Sequence, residues 1–83
     1  MKVKRVISKY NNSDDSLLSD YSIDHIPVAK LKEILQVEPD DEQVLKVYKI
    51  DSSQLAKFSQ YVPDLQKGNL AAVEFFYECF GAS

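Results

Sequence analysis

The pattern of this chain predicts a small α+β two-layer sandwich: a four-stranded, largely antiparallel sheet in the order ββαβαβ, with two helices on one face. Three observations carry that expectation. The stretch Leu70 to Phe80 is the most apolar of the chain and holds Phe75, Phe76, Tyr77 and Phe80, so the core of a protein this small must be built on it. Two segments, one after Ile26-Pro27 and one after Asp51, carry apolar residues at helical spacing. Near the N-terminus, two strand-like segments flank a run of turn-forming residues. Two amphipathic helices can cover one face of a four-stranded sheet. The order of strands within the sheet stays open. At 83 residues, 1–83 makes a single domain with a modest core.

Val3 to Tyr10 is rich in β-branched residues and ends in Asn11-Asn12-Ser13-Asp14-Asp15. Arg5 and Ser8 interrupt its two faces, which suits an edge strand. Leu17 to Ile23 alternates better, with Leu17, Tyr21 and Ile23 on one face and Leu18, Asp20 and Ser22 on the other, and the short turn makes a hairpin of the two. Pro27 is favoured in the first helical turn, and Val28, Leu31, Ile34 and Leu35 form the stripe of the helix it opens. Glu38-Pro39-Asp40-Asp41 stops it. Val44 to Ile50 is the third expected strand. Asp51 and Gln54 have capping-box spacing, ahead of a helix carrying Leu55, Phe58 and Val62. Pro63-Asp64 ends that helix, and Lys67-Gly68-Asn69 turns into the last segment.

Two readings compete for Leu70 to Phe80. As a strand it places Ala71, Val73, Phe75, Tyr77 and Cys79 on a core face, and Ala72, Glu74, Phe76, Glu78 and Phe80 on the other. As a helix it has Asn69 as N-cap, a Leu70/Val73/Tyr77/Phe80 stripe, and Gly81 past its end. Aromatic enrichment favours the strand, the end signals favour the helix, and we take the strand.

The net charge is −3, from ten Lys and Arg against thirteen Asp and Glu. Basic residues gather in the first nine positions. Acids follow as Asp14, Asp15, Asp20 and Asp24, then as Glu38, Asp40, Asp41 and Glu42. Such a balance argues against nucleic acid and for a basic protein partner. Phe76 and Phe80 on a sheet face could stack bases, but Glu74 and Glu78 beside them would repel phosphate. No apolar run approaches the length of a membrane span, and no secretory signal opens the chain, so a cytoplasmic protein is expected.

The usual carriers of chemistry are sparse. His25 is the only imidazole and reads as a helix-entry or surface residue; Cys79 is alone and reads as a small core hydrophobe. Asp40-Asp41-Glu42 lacks the spaced, glycine-centred loop of a calcium site. We expect no enzyme, no metal and no cofactor. Phe76 and Phe80 within carboxylates instead suit an interface, apolar anchors inside an electrostatic rim. The candidate partner-binding residues are thus Glu38, Asp40, Asp41 and Glu42 in one loop, and Glu74, Phe76, Glu78 and Phe80 on the last strand.

The succession of hairpin, Ile26-Pro27 helix, Glu38-Pro39-Asp40-Asp41 turn, strand, Asp51-capped helix and Glu74-Phe75-Phe76-Tyr77-Glu78 run resembles a family of small bacterial proteins. Some of these look like immunity proteins of contact-dependent growth inhibition and related polymorphic toxin systems. The resemblance covers roughly residues 3 to 80. It implies a non-enzymatic role, binding one cognate toxin domain, often a nuclease, in the cytoplasm of the producing cell. It carries over no site residues. A homo-oligomeric adaptor or regulatory domain, with Phe76 and Phe80 paired across a symmetry axis, is the alternative.

Overall fold

Strand β1 (Lys2–Asn11) turns into β2 (Leu17–Ser22), followed by helix α1 (Val28–Leu35), strand β3 (Tyr48–Ile50), helix α2 (Ser52–Phe58) and strand β4 (Val73–Ala82). Short 3-10 turns occupy Pro63–Gln66 and Leu70–Ala72. The computed structural model describes residues 2–66 and 70–82. The expected Lys67-Gly68-Asn69 turn, including the Asn69 cap of the helical alternative, lies outside them. The four strands form one sheet in the order β2-β1-β4-β3, with every neighbouring pair antiparallel. This is the expected α+β architecture, and the last segment is a strand from Val73 onward; Leu70–Ala72, expected at its start with Ala71 on the core face, forms an exposed 3-10 turn instead.

Long β1 and β4 pair along ten residues, from Lys2 opposite Ala82 to Asn11 opposite Val73. The expectation that β1 is an edge strand is therefore overturned: it lies in the middle of the sheet. Charge on a central strand is tolerated where it faces the side without helices, as at Lys4, or finds a backbone acceptor, as at Arg5. Ile7 supplies the helix-covered face and is fully buried, while Lys4 points to the other and is exposed. Arg5 lies on the packed side and directs Nη2 at the Gln43 carbonyl, 2.9 Å away.

Directly opposed residues share a face. On the helix side Ile7 faces Tyr77 and Tyr21, and Ile50 faces Phe75. These join Leu31, Ile34 and Leu35 of α1, Leu55 and Phe58 of α2, and Ile23, Ile26, Val44 and Leu65 from the connections. Cys79 packs against this core half-buried, and His25 is exposed. On the opposite side lie Lys4, Val6, Ser8 and Tyr10 of β1, facing Phe80, Glu78, Phe76 and Glu74 in turn. The register slips between Lys9 and Tyr10, where Ser19 is followed by Leu17 as the partner. That bulge moves Leu17 to the Tyr10 side, away from the Tyr21 side on which strict alternation would put it.

Helix α1 enters from Pro27, whose backbone is extended and whose carbonyl accepts from the amides of Lys30 and Leu31. It ends at Gln36 in the left-handed region, φ 53°, before the proline of Glu38-Pro39 is reached. Helix α2 has the expected capping box. The Asp51 carboxylate accepts from the Gln54 amide at 2.7 Å, and Gln54 Oε1 accepts from the Asp51 amide at 2.9 Å. The Gln54 side chain also donates to the Ile34 carbonyl at 3.2 Å, tying the start of α2 to the end of α1. Val62 lies beyond α2 and packs against the core from the following turn.

The third strand is shorter than Val44 to Ile50. Only Tyr48–Ile50 pairs with β4, because the chain before it is folded into turns. Val44 sits at φ 55°, a conformation that a β-branched residue adopts only under constraint. Its amide donates to the Asp41 carbonyl at 3.2 Å, and its own carbonyl accepts from Tyr77 Oη at 2.6 Å.

The two faces of β4 should differ sharply in energetic weight. Phe75 is buried in the core, so Phe75→Ala is expected to cost ~3–5 kcal/mol, a large share of the stability of a small domain. Phe76 is half-buried on the uncovered face, and Phe76→Ala should lose less than half as much. Denaturant melts of both variants measure the contrast, and equal losses would mean that both faces are packed.

Candidate functional site

The sequence-derived candidates separate into two places. In the loop before β3, the acids do not act alike. Asp41 is 6 % exposed and accepts three hydrogen bonds: from the amides of Leu45 at 2.8 Å and Lys46 at 3.1 Å, and from Tyr48 Oη at 2.7 Å. Burial pushes its carboxyl towards the neutral form, but the Leu45 amide, the Tyr48 hydroxyl, the Lys46 amide and the Lys46 charge outweigh it, and the net shift is downward. Tyr48 is raised in turn, by burial and by its bond to Asp41. Asp41 therefore holds the loop together and is turned away from any partner.

Glu38 and Asp40 remain on the surface, paired with the same ammonium. Lys46 Nζ lies 2.6 Å from Glu38 Oε2 and 3.2 Å from Asp40 Oδ2. Those two bonds, Glu38 first, raise the Lys46 pKa. Glu42 is exposed. The loop thus presents Glu38 and Asp40 around one lysine, and Glu42 exposed, a weaker negative field than four free carboxylates.

The second group is brought together on the face of the sheet opposite the helices. Glu74, Phe76, Glu78 and Phe80 alternate along β4, and Phe80 is 52 % exposed. Neighbouring strands contribute residues that sequence pattern alone did not assign. Tyr10 of β1 meets Phe76 edge to face, with ring centroids 5.6 Å apart and planes at 79°. Its hydroxyl donates to Glu78 Oε2 at 2.8 Å, and that bond, with burial second, raises the Tyr10 pKa. Lys49 of β3, opposite Phe76, reaches Glu74 at 3.4 Å. Exposed Val47 precedes it, and exposed Leu17 stands opposite Tyr10 on β2. Under these side chains Val6 and Ser8 are almost wholly buried, although neither belongs to the helix-side core. The open face is therefore an ordered second layer of side chains.

Alternation in Val3 to Tyr10 already places Val6, Ser8 and Tyr10 on one side. Which residues of β4 they meet depends on the register, and that needs the fold. Among the described residues no group of three or more His, Cys, Asp or Glu could hold a metal ion, and no helix is long and apolar enough to cross a membrane.

The Asp41 arrangement makes stability depend on acid. Its folded pKa lies below the unfolded value, so its contribution is complete above the ordinary carboxylate range and is lost as pH falls through the folded value. Wild type should lose stability on acidification below about pH 4. Asp41→Asn should be less stable near neutrality by about 2 kcal/mol, since three hydrogen bonds to a buried charge are weakened or lost. It should also show a shallower dependence on acid. Urea melts across that range check both slopes; parallel curves would remove Asp41 as the source.

The profile of a protein family described as a domain of unknown function (DUF7683) matches residues 4–67. That segment runs from early in β1 through both helices and the 3-10 turn Pro63–Gln66 to residue 67, and it leaves β4 outside the match. No match was found among curated proteins or among solved structures. Since the match covers most of the chain, this protein belongs to the DUF7683 family.

Proposed function

We propose that this protein is a non-enzymatic binding module that neutralises a basic protein partner, in the manner of an immunity protein acting on a cognate toxin domain in the cytoplasm of the producing cell. The observation that carries the reading is the uncovered sheet face. Phe76 stands between Glu74 and Glu78 on a long strand with Phe80 just beyond them, and Tyr10, Val47 and Leu17 extend the apolar area. An apolar centre with a charged surround is the anatomy of a specific interface. The excess of acids over bases in the whole chain favours encounter with a cationic surface such as a nuclease cleft.

One observation favours the alternative of a homo-oligomer. The same face carries Lys4 and Lys49 as well as Glu74 and Glu78, so two copies related by a twofold axis could pair unlike charges around Phe80. Sedimentation of the isolated chain separates the readings: a monomer at micromolar concentration favours a heterologous partner, a dimer broken by Phe80→Asp favours self-association.

The direct test is genetic and then kinetic. A gene for a toxin domain should adjoin this one, and co-expression of the two should restore growth. Absence of such a gene, or failure of a folded chain to rescue, would remove the toxin from the proposal. With the toxin domain in hand, Phe76→Ala and Phe80→Ala should raise the dissociation rate about 30-fold, the equivalent of about 2 kcal/mol. Lysines at Glu38 and Asp40 should lower the association rate instead, with a difference that shrinks as salt is added. Unchanged kinetics for all four variants would move the interface elsewhere, to the hairpin between Asp14 and Asp24.

A further inference from the structure

A groove of about 330 Å³ opens on the uncovered face, walled by Tyr10, Asp15, Val47, Glu74, Phe76 and Glu78. Its lining combines three carboxylates, two aromatic rings fixed edge to face, and an exposed valine. Carboxylates beside aromatic rings favour a cation, and an apolar wall favours one carried on a hydrocarbon stem. Resting on the partner-binding reading above, we propose that this groove seats an arginine side chain of the partner protein, with its guanidinium against Phe76 and paired with Glu78.

Arginine fits better than lysine. The guanidinium is planar, stacks on aromatic rings, sheds its hydration more readily and offers a two-pronged donor to a carboxylate. Glu78 is the acceptor because Tyr10 Oη uses only part of its hydrogen-bonding capacity at 2.8 Å and holds it beside Phe76. Glu74 lines the same groove four residues along the strand and is already paired. Its own cation is Lys49, in an exposed pair at 3.4 Å that a competing charge displaces at little cost. Asp15, from the hairpin turn, adds negative potential at the rim.

The test needs no toxin. The 15N-labelled chain is titrated with N-acetylarginine amide, and separately with the neutral N-acetylcitrulline amide, which keeps the shape and loses the charge. The arginine probe should shift the amides of Tyr10, Phe76 and Glu78 saturably, and the citrulline probe should not. Glu78→Gln and Phe76→Leu, each with a dispersed spectrum that verifies the fold, should weaken binding about fivefold or more. Glu33→Gln, on helix α1 at the other side of the sheet, should leave it unchanged. Equal shifts with both probes, shifts centred elsewhere, or no saturable shift would overturn the assignment. Binding of the probe without growth rescue keeps the groove and removes the toxin; rescue without binding does the reverse.

Discussion

The hydroxyl of Tyr77 must be satisfied inside the core, and the way this is done governs the half of the molecule between α1 and β4. The ring is fully buried, and burial drives the phenol pKa up to about 12, so it remains a neutral donor across the ordinary pH range. Its acceptor is the carbonyl of Val44, brought to 2.6 Å by a backbone in the left-handed region. A strained residue of this kind persists only where its surroundings over-determine it. Here the surroundings are Tyr77 on one side and Asp41 on the other, which gathers the amides of Leu45 and Lys46 and the hydroxyl of Tyr48. The Tyr48 and Tyr77 rings lie side by side across the β3–β4 pair, with centroids 6.3 Å apart. The loop, the short strand and the central strand are therefore one unit.

Consequences reach the opposite face. Because the loop is pinned at Val44, the three residues of β3 enter in a register that sets Lys49 opposite Phe76, and exposed Val47 reaches the wall of the groove. The same folding takes Asp41 off the surface and brings Lys46 between Glu38 and Asp40. An acidic run in the chain thus becomes a loop with one carboxylate buried and two sharing a lysine, while the carboxylates beside aromatic rings lie on the sheet.

A sheet with helices on one side leaves the other to be stabilised by its own side chains. Val6 and Ser8 are buried there by the neighbours that Tyr10, Phe76 and the long side chains around them provide. That layer is rigid because it stands on ten-residue strands, and it is amphipathic because acids alternate with rings along β4. A partner meeting it would find anchors already ordered, with little side-chain entropy left to lose.

Amino-acid order alone determined the local elements. The hairpin turn of Asn11 to Asp15, the Asp51 capping box, the entry of α1 at Pro27 and the alternation of core and outer residues along β4 were all legible, because each depends on neighbours within a few positions. Of the candidate site, Glu74, Phe76, Glu78 and Phe80 could be read as one face for the same reason. What only the tertiary structure decided were the features set by distant partners. Charged β1 lies at the centre because it pairs along its whole length with β4, from the other end of the chain. Val44 to Val47 do not extend the strand, since Tyr77 and Asp41 draw their backbone away from β4 pairing. Tyr10, Asp15 and Val47 join Phe76 and Glu78 across 28 residues or more of sequence, and Asp41 is separated in role from Glu38 and Asp40, its near neighbours in the chain. Local periodicity says which side of a strand a residue occupies; only register and burial say what it meets there.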